Sequence, residues 1–499
     1  MTTTDTHRVV PRATSGTSGA ASGKKDHRWL ALFVLALTQL VVVLDGTIVN
    51  IALPQAQLEL GLTDSQRQWV VTAYALAFGA LLLLGGRIAD YWGRKRTFLV
   101  GMVGFGAASA FGGVAQSGIE LIIARGLQGA FAALLAPAAL ALLTVTFPSG
   151  KDRNTAFAVF GTVAGAGAAV GLVLGGVLTE FADWRWCLLV NVFFVIVAFA
   201  GGIFLVKESK AEGDNRYDVW GAITVTLGLG ALVYGFSLAE HGWGALDTVG
   251  FLALGVLLLA AFVVIETRVD QPLLPLRVVL NRVRGGAFLV QALVGSVMIG
   301  ATLYLALHLQ IVLGMSPLQA GLASLPMTVV IMIVAPIATT LLPKIGPRPL
   351  MIGGPLVAAA GLLYLSRLTA DGNYLVQILP GLIVMGIGMA CIFVPLQNLA
   401  LSGVAPHDAG AASATANSAM QIGGSIGLSV FTALYVSASE SVAEAGSGNP
   451  LEAFTAGYSA AFVASAVALV VASAIVVALI RGSKSELLPS GDTAVVHMG

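Results

Sequence analysis

A single carboxylate stands in an otherwise uncharged stretch near the start of the chain. Asp45 lies in the apolar run 29–53, which holds no other charged residue. On insertion scales a charge at the centre of a membrane span costs about 2.5–3.5 kcal/mol, so such residues pair with other charges, line wet paths or carry protons. A second charge, Arg125, lies deep within the apolar run 119–143. The chemistry open to these two side chains is an ion pair between them or the uptake of a proton by the carboxylate.

Asp45 and Arg125 are expected at similar depths. With a rise of 1.5 Å per residue, Asp45 lies about 6 Å and Arg125 about 9 Å outward of the midpoints of their runs, if the N-terminus is inside. Thr38, Gln39 and Asn50 fall beside Asp45 on a helical wheel. We therefore expect this polar side of the helix to face a partner or a wet cavity rather than lipid.

Two interpretations of these charges remain open at this point. In the first, Asp45 and Arg125 form a fixed ion pair that only specifies packing. In the second, Asp45 takes up and releases a proton, because burial disfavours the charged carboxylate while a neighbouring arginine favours it. If the balance differs between two conformations, proton binding becomes coupled to conformational change.

The composition is that of an integral membrane protein. The 499 residues are 57% hydrophobic and only 10% charged, against roughly 25% charged in soluble domains. The net charge of +1 excludes strong attraction to nucleic acid. The two cysteines, Cys187 and Cys391, lie in apolar runs and suggest neither a disulfide framework nor a metal site. No nucleotide-binding GxxxxGK[ST] motif and no nucleophile–base arrangement occurs, so we expect no cofactor, no metal, no enzyme activity and work driven by an ion gradient.

The apolar runs predict an all-α membrane protein with fourteen spans, each of about 20 residues. The predicted spans are 29–53, 66–86, 97–116, 119–143, 155–179, 186–206, 218–239, 248–267, 285–310, 318–341, 349–368, 374–400, 411–438 and 458–481. With the N-terminus inside, 22 of the 26 Lys and Arg residues fall on the cytoplasmic side. This bias predicts a multi-pass protein of the cell membrane with both termini in the cytoplasm.

A weak internal repeat suggests how the spans are grouped. The stretch 89–101 aligns with 342–354, which pairs Gly93 with Gly346. Two six-helix halves that enclose a central cavity are a transporter architecture. The predicted domains are a disordered tail (1–28), a first half (29–206), a linker with two extra spans (207–284), a second half (285–481) and a cytoplasmic tail (482–499).

The loop "GGRIADYWGRKRTF" (85–98) resembles the signature loop of the major facilitator superfamily. Gly86, Asp90, Gly93, Arg94 and Lys95 fill the positions of its pattern. We expect Gly86 to let two helices approach closely, Asp90 to lie near the N-terminus of a neighbouring helix, and Arg94 to pair with Asp90 four residues before it. Such contacts would act as a latch between two halves that rock.

Further stretches resemble the fourteen-span drug–proton antiporter branch of this superfamily. They are "LDGTIVNIALP" (44–54), "RGLQGAFAA" (125–133), "DWRWCLLVN" (183–191) and residues 394–427. The fifth span carries that branch's antiporter glycines at Gly161, Gly165, Gly167, Gly171, Gly175 and Gly176. Leu172 stands where the motif has proline, which leaves the direction of transport open.

The resemblance implies a proton-coupled exporter of amphipathic drugs, antibiotics or secondary metabolites that works by alternating access, with Asp45 and Arg125 in proton coupling. A monomer that binds protons, a small substrate and lipid is expected. Candidate cavity residues are Thr38, Gln39, Asn50, Gln128, His308, Gln310, Asn398, Asn417 and Gln421. The alternatives on the same fold are a proton-coupled importer of a small nutrient and an exporter of a lipid or glycolipid.

Overall fold

Long helices account for almost all of the chain that the structure describes. The structure is a computed structural model, which describes residues 27–148, 150–210, 218–239, 242–404, 408–445, 449–482 and 487. The predicted tails, 1–28 and 482–499, lie almost entirely outside these ranges. The helices are α1 (Arg28–Leu60), α2 (Asp64–Trp92), α3 (Arg94–Gly113), α4 (Gly118–Thr146), α5 (Lys151–Phe181), α6 (Trp186–Leu205), α7 (Val219–Leu238), α8 (Leu246–Glu266), α9 (Leu276–Val279), α10 (Arg282–Leu307), α11 (Pro317–Ile345), α12 (Pro347–Leu365), α13 (Leu379–Leu401), α14 (Ala409–Glu444) and α15 (Pro450–Leu479).

Each of the fourteen predicted spans corresponds to one long helix, and the predicted fold class is confirmed. In the described residues, thirteen helices are long and apolar enough to cross a membrane. The remaining long helix, α3, begins with the basic residues Arg94, Lys95 and Arg96, and its 20 residues are still enough to cross a bilayer. Short π-helical stretches at His308–Val312 and Tyr374–Ile378 extend α10 and α13.

The same helix pairs pack against each other in α1–α6, the first half, and in α10–α15, the second half. In both halves the first helix packs against the fifth and sixth, the fourth packs against the second and third, and the third packs against the sixth. Between the halves, α2 packs against α14 and α5 against α11, which are equivalent pairs. This shared pattern is the physical counterpart of the repeat seen in the sequence.

Two glycines mark the same position in the two halves. Gly93 (φ 126°) separates α2 from α3, and Gly346 (φ 82°) separates α11 from α12. Residues with a side chain rarely adopt a positive φ, so glycine is favoured at both breaks. These are the two residues that the sequence alignment paired.

The loop between α2 and α3 differs from expectation in two details. The glycine at the close approach is Gly85, because a Cβ there would overlap the carbonyl of Ala133 on α4, whereas a Cβ on Gly86 would meet Pro137 at an ordinary 3.7 Å. The prediction for Gly86 was therefore wrong by one residue. The two positions differ by 100° around the helix, and only Gly85 lies at the closest approach to the backbone of α4.

The carboxylate at the N-terminus of α3 belongs to Glu208 rather than to Asp90. Its two oxygens accept from the backbone amides of Lys95 and Arg96 at 3.0 and 3.2 Å. Asp90 instead accepts two bonds from Arg94, at 3.0 and 2.8 Å, as predicted for that pair. The predicted helix-terminus interaction is thus real, but its acid comes from the segment after α6.

The glycines of α5 form a seam against α1. Gly167, Gly171 and Gly175 are spaced four residues apart and face Val43, Thr47 and Ile48 of α1 respectively. Gly176 and the backbone of Leu172 instead contact α11, at Leu318 and Gly321. Gly161 is partly exposed, and Gly165 is exposed with open space where a Cβ would lie. The glycine motif therefore packs α5 against one helix from each half.

The inserted pair, α7 and α8, lies beside the contact between the halves. α8 packs on α7, and α7 packs against both α2 and α14. Trp69 of α2 donates from Nε1 to Ser237 Oγ of α7 at 3.1 Å, and its ring lies 6.0 Å from that of Tyr234. The insert is therefore attached by a hydrogen bond to the first half while it also touches the second.

Two glycine substitutions in α5 should distinguish the effect of lost close packing against α1 from the effect of changed helix propensity. Gly171→Val places a branched side chain against Thr47 and the carbonyl of Leu44, and overpacking of this kind costs about 1–3 kcal/mol. We expect a lower midpoint of thermal unfolding for the purified protein in detergent. Gly165→Val, in the same helix with free space at its Cβ, is the matched control. Equal effects of the two substitutions would contradict the packing interpretation.

Candidate functional site

The Asp45 carboxylate is fully buried and accepts three hydrogen bonds. Arg125 Nη1 donates to Oδ2 at 2.6 Å, while Oδ1 accepts from Gln128 Nε2 at 2.9 Å and from Asn191 Nδ2 at 2.7 Å. The exposed fraction is 0% for Asp45 and 1% for Arg125. The ion pair predicted from matched depth is confirmed.

Arg125 is held in place by α2 as well as by Asp45. Its Nε donates to the carbonyl of Val70 at 3.2 Å, and its guanidinium lies over the ring of Tyr74, 4.4 Å from the centroid. Gly129, one turn after Arg125, has no room for a Cβ because the carbonyl of Tyr74 occupies that space. This close packing of α4 on α2 brings the guanidinium onto the tyrosine face, where cation–π attraction adds to the ion pair.

Gln128 links the pair to a third helix. Its Oε1 accepts from Arg125 Nη1 at 2.9 Å, and its Nε2 donates to Asp45 and also to Ser109 Oγ of α3 at 2.7 Å. We call Asp45, Ser109, Arg125, Gln128 and Asn191 the Asp45 network. Together with the carbonyl of Val70, it joins α1, α2, α3, α4 and α6, all of them in the first half.

Sequence reasoning missed part of this network. Gln128 was placed among the cavity candidates, yet it bonds both charges directly. Asn191 and Ser109 were not selected at all. The signal for Asn191 was present, because it is the lone amide in the apolar stretch of α6. Ser109 lies among glycines and alanines in α3, and no pattern distinguishes it from a packing residue.

All three bonds to Asp45 are accepted from nitrogen donors, and one of these donors is a charged guanidinium. Adding a proton would remove the counter-charge of Arg125. Loss of one partner from a buried ion pair typically costs about 3–5 kcal/mol. Protonation of Asp45 would therefore require the network to rearrange.

The other predicted cavity residues occupy different environments. In α1, Thr38 is buried and bonds its own helix at the carbonyl of Val34, and Gln39 is partly exposed. Asn50 is buried, and its Oδ1 has no partner among the described residues. The structure does not bring these three side chains into the Asp45 network.

The candidates of the second half are also dispersed. Asn398 is partly buried and Asn417 is exposed, and both bond carbonyls four residues earlier in their own helices. Gln421 of α14 lies against Gly79 of α2, at the contact between the halves. Gln310 also joins the halves, because its Nε2 donates to the carbonyl of Ile51 at 3.1 Å.

His308 is fully buried beside three tyrosines of the second half. Its ring packs edge-on against Tyr458 at 5.9 Å, and its two nitrogens have no hydrogen-bond partner within the described residues. Tyr458 stacks on Tyr435 at 5.3 Å, and Tyr435 stacks on Tyr304 at 5.6 Å. Arg67 of α2 lies 5.5 Å from the centroid of the Tyr435 ring, so this tyrosine cluster also contacts the first half.

Hydrogen bonds between the halves are concentrated at one end of the bundle. We call the end where α1 meets α2 the α1–α2 end, and the opposite end the α2–α3 end. Gln68 donates to Ser429 at 2.6 Å, and Glu180 accepts from the amide of Leu318 at 3.0 Å. The bond from Gln310 to Ile51 and a bond from Ser316 to Glu180 also join the halves. All lie towards the α1–α2 end.

The sequence profile of the Major Facilitator Superfamily matches residues 35–428. The chain belongs to the major facilitator superfamily. Membership makes it a multi-pass membrane transporter of small molecules rather than an enzyme, and the family predicted from the signature loop is confirmed.

Several relatives of this superfamily member are named for antibiotics. The puromycin resistance protein pur8 of Streptomyces alboniger is 49% identical over 416 residues, which are 83% of each chain. The cephamycin export protein CmcT of Amycolatopsis lactamdurans is 39% identical over 83% of this chain and 87% of its own. The tetracenomycin C resistance and export protein of Streptomyces glaucescens is 35% identical over 84% and 78%.

Solved structures share the fold of this superfamily member at low sequence identity. A bacterial homolog of the human lysosomal transporter Spinster, crystallised in an inward-facing and occupied conformation, matches with a TM-score of 0.64 at 18% identity. The match covers 94% of this chain and 100% of that one. An auto-inhibited peptide transporter of the POT family matches with a TM-score of 0.69 at 15% identity, over 95% and 100%.

Removal of either charge of the buried Asp45–Arg125 pair should lower the stability of the protein more than removal of a charge from an exposed ion pair. We expect Asp45→Leu or Arg125→Met to destabilise the transporter by about 3–5 kcal/mol, because each leaves a buried charge unpaired. The double variant should lose less than the sum of the two. Thermal unfolding in detergent measures all three variants. Asp152→Ala is the control, since Asp152 is half exposed in its contact with Arg28 and such pairs contribute at most about 1 kcal/mol. Single variants as mild as the control would contradict the assignment.

Proposed function

We propose that this transporter is a proton-coupled exporter of amphipathic antibiotics or related secondary metabolites. The observation that carries the proposal is the buried Asp45–Arg125 pair, whose partners come from several helices of one half. The antibiotic-export names of relatives that match over most of their length support the direction and the substrate class. Proton coupling is supported by the chemistry of the site.

The proposed orientation places the α2–α3 end and both termini in the cytoplasm. The signature loop at this end carries Arg87, Arg94, Lys95 and Arg96, and short loops rich in lysine and arginine favour the cytoplasmic side. Asp45 then lies towards the outer side of the bilayer midplane. A proton would reach it from the outside in one conformation and leave to the cytoplasm in the other.

In the proposed cycle the two six-helix halves rock about a central substrate cavity, within a monomer. The hydrogen bonds between the halves lie at the outer end in this orientation, which is the arrangement expected of an inward-facing state. In the signature loop, Asp90 accepts from Arg94, and Glu208, just after α6, accepts from the start of α3. Neither bond involves the second half. Both would keep the cytoplasmic ends of the first half together while it moves as a unit.

Uptake of a proton by Asp45 would replace some of its present hydrogen bonds with a new one, in which the protonated carboxyl group donates. A protonated Asp45 needs an acceptor, and Asn191 Oδ1 is a buried neighbouring oxygen without a partner among the described residues. Rotation of the Asn191 amide would turn this oxygen towards the new proton while Arg125 keeps its bonds to Gln128 and Val70. Each proton that moves inward supplies roughly 2.3 kcal/mol per 100 mV of membrane potential.

The proposed substrate is amphipathic and carries little net charge. The polar residues Gln39, Asn398 and Asn417 can donate and accept hydrogen bonds without fixing a charge. A cavity with sparse charge suits a ligand that is recognised mainly by apolar contact and a few polar groups.

Asp45→Asn should abolish proton-driven transport, because asparagine retains an acceptor for Gln128 but cannot cycle a proton. Everted membrane vesicles with an acidified interior measure this directly, since an exporter accumulates substrate in them. Asp152→Asn, at a half-exposed carboxylate, should transport normally. Full coupled accumulation by Asp45→Asn would rule out the proton role, and accumulation only in right-side-out vesicles would indicate an importer.

A cross-link between the halves at the α1–α2 end should hold the transporter in the conformation seen in the structure. In a variant with Cys187 and Cys391 replaced by alanine, Gln68→Cys and Ser429→Cys are expected to form a disulfide or a short chemical cross-link, because the native side chains are in contact. Transport should stop on oxidation and return on reduction. Either cysteine alone is the control. Unimpaired transport by the cross-linked protein would exclude opening at this end.

A further inference from the structure

Two carboxyl groups meet at the base of the inserted pair, far along the chain from Asp45. Asp218 precedes α7 and caps it, because its Oδ1 accepts from the amide of Gly221 at 2.8 Å. Glu266 ends α8, and its Oε2 accepts from the amide of Leu274 at 2.9 Å. The exposed fractions are only 6% for Asp218 and 4% for Glu266. Both acids are therefore removed from water.

The second oxygen of each carboxyl group has no donor. Asp218 Oδ2 and Glu266 Oε1 are buried without a hydrogen-bond partner in the described part of the chain. A single Cβ built on Gly221 would contact both atoms, so the two oxygens lie side by side. A buried oxygen without a donor is costly, and here two such oxygens face each other.

No basic group in the described residues forms a salt bridge with either carboxyl. Charged and titratable groups lie on the neighbouring elements. They are Arg87, Asp90 and Tyr91 of α2, Lys207, Glu208 and Lys210 before α7, Arg268 and Asp270 after α8, Arg277 of α9, and Asp408 before α14. Among these, Arg87 bonds Tyr91 and the carbonyl of Pro272. Arg277 pairs with Asp408, and Glu208 bonds the start of α3. The carboxyl pair is thus not neutralised by a salt bridge.

Two adjacent buried carboxylates repel each other, and a proton shared between them removes the repulsion and supplies the missing hydrogen bond. We propose that Asp218 and Glu266 hold one proton between them and form a second proton-binding site, separate from Asp45. The proton sits on one of the two unbonded oxygens and is donated to the other. On release it passes to water at the α2–α3 end, and both groups are then charged.

This carboxyl pair is connected to α2 through the segment after α8. Leu274, which donates to Glu266, is two residues from Pro272, whose carbonyl accepts from Arg87 at 2.9 Å. Arg87 lies one turn before Asp90 of the signature loop. The charge of the pair therefore acts on a short segment that is bonded to the cytoplasmic end of the first half. This connection to transport rests on the proposed function, whereas the proton site itself does not.

Infrared spectroscopy of the purified full-length protein tests the proposal without any transport. In spectra recorded from acidic to alkaline pH, a protonated carboxyl band should persist at neutral pH in the wild type and in Asp45→Asn. It should be lost in Glu266→Gln, because the glutamine amide can donate to Asp218 in place of the proton. In Asp218→Asn the remaining acid should titrate about one pH unit or more towards acid, since the neighbouring charge is gone.

The two variants are designed to fold. Asparagine caps helices about as well as aspartate, and glutamine at position 266 keeps an oxygen for the amide of Leu274. Thermal unfolding verifies this, and Asp152→Asn serves as a control at an exposed acid. The absence of a protonated carboxyl band at neutral pH in the wild type would overturn the proposal. So would a band that is unchanged in both folded variants. Because the spectra do not depend on substrate, failure of this site and failure of proton-driven export would be distinguished.

Discussion

Burial of one carboxylate beside one guanidinium is the constraint on which the first half depends. Neither Asp45 nor Arg125 could remain in that position alone, and together they still need partners for the rest of their hydrogen-bonding groups. Those partners come from α2, α4 and α6, and Gln128 in turn bonds Ser109 of α3, so the network fixes how these helices and α1 are arranged. The close approach of α4 to α2 at Gly129 and Gly85, and of α5 to α1 at Gly171, keeps the helices near enough for the network to close.

Much of this could be predicted from the sequence, because membrane helices have a strong signal. Runs of about 20 apolar residues define the spans, and the distribution of lysine and arginine defines the loops. The Asp45–Arg125 contact followed from depth alone, since two opposite charges at one level of a bundle have few other ways to be satisfied. The pairing of Gly93 with Gly346 anticipated two equivalent breaks between helices.

The errors concern the direction in which side chains point and contacts between distant segments. Gly85 and Gly86 are neighbours, and only three-dimensional packing decides which of them lies at the closest approach to α4. Glu208 reaches the start of α3 from more than 100 residues later, and nothing near it in the sequence signals that contact. Polar residues such as Thr38 and Asn398 were assigned to a cavity by type, yet they bond carbonyls of their own helices, as serine, threonine and asparagine side chains often do in helices.

The inserted pair makes an otherwise twofold arrangement unequal. The halves meet through two equivalent contacts, α2 with α14 and α5 with α11. α7 lies against the first of these and is tied to α2 by the bond from Trp69 to Ser237. If α2 and α14 separate, α7 must travel with one helix and slide along the other. Separation of the halves at the α2–α14 contact therefore also has to break or shift the packing of α7. At the α5–α11 contact, separation involves only two helices, which meet at small residues such as Gly176 and Gly321. The two contacts between the halves are therefore equivalent in fold, but they differ in the number of helices that must move when the halves separate.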